Sequence, residues 1–75
     1  MPAKTLKRSV TISGHRTSVS LEAEFWDALA EIAASAKRPL AQLIDEIDKR
    51  DGRSKNLSSA LRIYVLAHYR GAKRG

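Results

Sequence analysis

Arg16, Ser18 and Ser20 alternate with Thr17, Val19 and Leu21 in the run His15-Arg16-Thr17-Ser18-Val19-Ser20-Leu21. A guanidinium carries a planar fork of donors suited to a guanine edge or a phosphate, and a hydroxyl donates or accepts with little base preference. This is binding chemistry, and no catalytic set matches it. His15 and His68 are the only histidines, lie far apart, and have no cysteine and no HxxxH or HxxE spacing around them, so no metal site is expected. Glu22, Glu24, Asp27 and Glu31 are spread by helical spacing over a solvated face and do not converge as an acid–base pair. Ser58-Ser59 has no histidine placed as a base, and no glycine loop suits a phosphate. The chain reads as a non-enzyme with no cofactor.

The alternation over 15–21 predicts a strand with one buried and one solvated face. A lone strand leaves its ladder groups unpaired. No second strand follows it, so its partner is either the preceding segment or another copy of the chain, and another copy is favoured. Ser9-Val10-Thr11-Ile12 is a second short extended run ended by the turn dipeptide Ser13-Gly14. Whether that run folds back on 15–21 or flanks it as an ordered arm stays open. Residues 1–8 read as a flexible basic arm. There is no internal repeat.

A first helix is expected over 22–36. Glu22 and Glu24 favour its positive amino end, and Phe25, Leu29, Ile32 and Ala33 form its buried stripe. Phe25 and Trp26 are adjacent, so at most one can point straight into the core. Lys37-Arg38 close this helix, and Pro39 suits the first position of a second, over 39–49, with Leu40, Leu43, Ile44 and Ile47 buried. After a polar loop, Asn56 is a good N-cap for a third helix over 56–70, apolar nearly all round between Leu61 and Ala67.

The 75 residues make one domain near the lower limit for a self-sufficient core, with no cysteine to staple it. Oligomerisation is the expected remedy. The run Ile63–Ala67 is too short to span a bilayer, and no apolar stretch follows the basic amino terminus as in a secretion signal. The net charge of +6 is uneven: no acid among residues 1–21, seven acids in 22–49, and seven bases against Asp51 from Arg50 onward. Such a basic domain suits a polyanion, DNA being the commonest, and a two-stranded ribbon is narrow enough for its major groove. A cytoplasmic, nucleoid-associated location is expected.

Strand, link, helix, tight turn, helix resembles the ribbon-helix-helix superfamily of Arc/MetJ type. It is similar also to a group of short bacterial ribbon-helix-helix domain proteins, through Lys7-Arg8-Ser9-Val10, Gly14–Val19, Leu21–Trp26 and Asn56–Arg62. The resemblance implies a fold that is mostly α with one short N-terminal strand. It implies an obligate homodimer on double-stranded DNA, with an intermolecular antiparallel ribbon and an additional C-terminal helix. Arg16, Ser18 and Ser20 would then face base edges. Lys4, Lys7, Arg8, His15, Lys37 and Arg38 would meet phosphates, while Thr17, Val19, Leu21, Phe25, Leu29, Ile44, Leu61 and Val65 would fill the dimer core. The helix over 39–49 is the favoured match to the superfamily's second helix, the helix over 56–70 being the competitor. A dimeric, sequence-specific repressor is the leading expectation. The alternatives are an antitoxin using its last helix to hold a toxin, and a protein-interaction module presenting an acidic helix face and an exposed Trp26.

Overall fold

In the computed structural model, which describes residues 5–50 and 56–72, a hairpin of β1 (Thr5–Ile12) and β2 (His15–Glu22) lies against three helices, α1 (Ala23–Ser35), α2 (Leu40–Arg50) and α3 (Leu57–Ala72). Among the described residues there are therefore two strands, not one, and β2 pairs with β1 of the same chain. Residues 5–8, expected in the arm, belong to β1.

Two local features explain this outcome. Ser13 and Gly14 both adopt positive φ, 50° and 83°, in a two-residue loop between the paired Ile12 and His15. That backbone twist matches the twist of the flanking strands, and so short a loop costs little closure entropy. The second feature is Arg8, which takes an inward register position opposite Val19 and breaks the apolar series Leu6, Val10, Ile12. Its guanidinium lies 5.2 Å from the centre of the Trp26 ring, where the ring's negative face accommodates the charge.

The inward side of β2 and one stripe of each helix form the core, in which Leu21, Trp26, Leu29, Ile44 and Leu61 are the largest enclosed side chains. On α1 the tryptophan is the buried member of the aromatic pair: Trp26 is 2% exposed, whereas Phe25 is half-buried at the margin. The Trp26 indole donates to the Leu6 carbonyl at 2.8 Å, so its polar atom is satisfied by β1. An exposed Trp26, on which the interaction-module alternative stood, is not found. Val19, Leu21, Leu29, Ile44, Leu61 and Val65, expected in a core shared between copies, are enclosed by their own chain, and Thr17 is half-buried.

α1 ends with Lys37 at φ 57°, as Arg38 and Lys37 donate back to the Ala33 and Ala34 carbonyls at 2.9 and 3.0 Å. This reciprocal pair satisfies the helix's last carbonyls. α2 starts at Leu40, one residue later than expected, with the Pro39 carbonyl accepting from Gln42 and Leu43. Asn56 caps α3 through its side-chain oxygen, which accepts from Ser59 N–H at 3.1 Å. The outer side of α3 is uncovered: Ile63 is 63% and Leu66 55% exposed.

Candidate nucleic-acid interface

Because side chains opposite one another in an antiparallel pair share a face, the register decides what the ribbon shows to solvent. Lys7 is opposite Ser20, Ser9 opposite Ser18, and Thr11 opposite Arg16. All six are exposed. Among the described residues none of these six side chains has a hydrogen-bond or ion-pair partner. The outer face is thus a row of hydroxyls with one free cation at each end.

The structure gathers Arg16, Ser18, Ser20 and Lys7 on this face, and adds Ser9 and Thr11. Sequence reading missed those two because it left the role of 9–12 open. Once 9–12 pairs with 15–18, alternation places Ser9 and Thr11 outward. Arg8 and His15 take inward register positions, Arg8 over Trp26 and His15 opposite Ile12, both still exposed. Lys37 and Arg38 lie in the α1–α2 connection, with Arg38 ion-paired to Glu46. Lys4 lies outside the described residues.

The ribbon is tied to the helices at both ends. At its turn, the Ser13 N–H and hydroxyl donate to one Asp45 oxygen on α2 at 3.2 and 3.3 Å. At its base, the Ser58 hydroxyl of α3 donates to the Ser20 carbonyl at 2.9 Å, and Arg62 grips Glu22 through Nε at 2.9 Å and Nη2 at 3.3 Å. Glu22 is the single acid within the two strands, and its carboxylate is engaged by this guanidinium. The face therefore presents uncompensated positive charge.

Hydrogen bonds from Arg62 hold the Glu22 carboxyl below its ordinary 4.5. At Asp45 burial pushes the carboxyl up, but Lys49 and the two Ser13 donors outweigh it and leave the group below its ordinary 3.8. A carboxyl whose folded-state value is depressed stabilises the fold above its unfolded value and loses that contribution as pH falls through the folded one. The thermal midpoint should therefore drop on acidification from about pH 5 to about pH 2. Glu22→Gln combined with Asp45→Asn should flatten the drop. Parallel curves for native and variant chains would show that neither tie matters.

No helix among the described residues is long and apolar enough to cross a membrane. Residues 5–69 match the family model described as the ribbon-helix-helix domain. The fold is similar to that of an uncharacterized protein from Bordetella pertussis Tohama I, with a TM-score of 0.78 and 35% identity. The match covers 89% of this chain and 57% of that protein, so the chain spans little more than half its length. Among curated proteins none matches.

Proposed function

The chain belongs to the ribbon-helix-helix domain family, and from that premise we propose that it is a sequence-specific DNA-binding regulator, acting as a dimeric repressor that lays its hairpin in the major groove. The observation that carries this reading is the outer face of the ribbon. Its six side chains are hydroxyls and cations, all exposed and without partners among the described residues. Arg16 offers the bidentate fork that discriminates guanine, and the serines and Thr11 can bond to base edges or phosphates. Ser58 brings the amino end of α3 to the base of the ribbon, which favours α3 over α2 for the phosphate contact at a helix amino terminus.

The dimer in this reading does not need the ribbon. Ile63, Leu66 and Tyr69 follow one another at i, i+3, i+6 on the open side of α3, beside half-buried Phe25. A continuous apolar stripe of this kind marks an association surface, and family membership favours a second copy as its cover.

Selection from a randomised duplex library at fixed salt tests the DNA reading, with enrichment of one short element as the expected result. Recovery of no element, with binding that merely falls as salt rises, would leave only non-specific phosphate attraction. Sedimentation tests the assembly. The native chain should run as a dimer, and Ile63→Glu with Leu66→Glu should run as a helical monomer, since both positions are exposed. A native monomer would sink the α3 interface.

A further inference from the structure

β1 and β2 carry nearly the same message. Lys7-Arg8-Ser9-Val10-Thr11-Ile12 aligns with Arg16-Thr17-Ser18-Val19-Ser20-Leu21. Ser and Val are identical in the middle, Lys/Arg, Thr/Ser and Ile/Leu are conservative around them, and Arg8 against Thr17 is the one mismatch. The expectation of no internal repeat is thereby corrected: the likeness lies across two paired strands, of which local pattern alone identifies only the second. The register makes it meaningful. Ser9 pairs with Ser18, so a local two-fold axis through that pair carries Lys7 onto Arg16, Ser9 onto Ser18 and Thr11 onto Ser20. Inward, the same axis carries Val10 onto Val19 and Ile12 onto Leu21, while Arg8 falls on Thr17, so the likeness is complete on the outer face alone.

We propose that one chain carries a pseudo-two-fold reading ribbon, in which Lys7 is the symmetry counterpart of Arg16 and grips a guanine on the opposite DNA strand. This rests on the DNA-reading function proposed above. An antiparallel ribbon reads DNA symmetrically because its two strands present equivalent side chains to the two DNA strands, and site symmetry mirrors protein symmetry. Here the equivalence arises within one polypeptide, each strand offering a cation, a serine and a second hydroxyl. Lys and Arg both bond to guanine O6 and N7. Lys7 and Arg16 lie at opposite ends of the face, two register positions either side of the Ser9–Ser18 pair. Four residues of strand separate them lengthwise, about 13 Å at ~3.3 Å per residue. At ~3.4 Å per base pair this corresponds to about four steps. The element read by one ribbon is then a short imperfect palindrome, with a guanine near each end on opposite strands. The imperfection comes from Lys7 against Arg16, since an ammonium lacks the planar fork.

Library selection with the full chain and its Lys7→Ala and Lys7→Arg variants tests the assignment. The native element should contain the two opposed guanines. Lys7→Ala should abolish the preference at one guanine only, weakening the native element roughly 5- to 150-fold while other duplexes change little. Lys7→Arg should make the two ends equally selective. Lys7 is exposed, and an unchanged helical signal and melting curve would show that the variants fold. An element without the two-fold relation, or an equal loss of affinity on all duplexes with Lys7→Ala, would overturn the proposal while leaving DNA reading intact. Failure of the native chain to enrich any sequence would overturn both.

Discussion

Trp26→Ala is expected to cost about 3–5 kcal/mol, the range for deleting a large buried aromatic. A domain of 75 residues is held by ~0.05–0.15 kcal/mol per residue, or about 4–11 kcal/mol in all, so the variant should lose between about a quarter and the whole of its stability. The reason is that one side chain makes three kinds of contact, two of them with β1. Its ring is enclosed in the core, its N–H closes on the Leu6 carbonyl, and its face carries the Arg8 guanidinium. Removing it leaves a cavity, takes the indole donor from the Leu6 carbonyl, and leaves a cation on the inward side of the ribbon with no ring beneath it. Trp26→Phe separates these losses. It keeps most of the apolar volume and an aromatic face but loses the hydrogen bond to the Leu6 carbonyl, at a cost of about 0.5–1.5 kcal/mol. Urea midpoints of the three proteins measure both steps. A Trp26→Ala variant within about 1 kcal/mol of the native chain, well short of the cavity cost, would mean that β1 is not held through this residue.

The second large effect concerns recognition. Arg16→Ala should weaken binding to the selected element by about 1–3 kcal/mol and relax its base preference at one position. Arg16 is exposed and pairs with no side chain among the described residues. Its loss should therefore leave the melting curve unchanged. Arg16→Lys is the informative companion. It keeps the charge, and with it the attraction to phosphates, but loses the planar fork. Competition titrations at one salt concentration should show near-native affinity for random duplex and reduced discrimination for the selected element. If Arg16→Lys discriminated as well as the native chain, the guanidinium would be acting as a phosphate contact.

Much of this protein is legible in its sequence, because much of it is local. The alternation from Arg16 to Leu21 identifies which side of that strand is wet, whatever the strand pairs with, since successive side chains point to opposite faces. The helical stripes through Leu29, Ile32 and Ala33 and through Leu43, Ile44 and Ile47, the Asn56 cap and the Ser13-Gly14 turn are likewise dictated by residues a few positions apart.

The tertiary structure decided three matters that local pattern cannot reach. Whether residues 9–12 or a second copy completes the ribbon depends on a non-local ladder, and period two specifies a face without specifying a partner. Spacing puts Phe25 in the buried stripe of α1, yet Trp26 beside it is the residue that is enclosed. Its indole N–H reaches the Leu6 carbonyl, and that carbonyl is placed by β1. Finally, Arg8 reads as an arm residue until Trp26 supplies a surface for its charge. Only then does β1 extend to Thr5, and only then do Lys7, Ser9 and Thr11 line up beside Arg16, Ser18 and Ser20. Side-chain types and periods are properties of short stretches of chain, whereas register is a property of two stretches brought together.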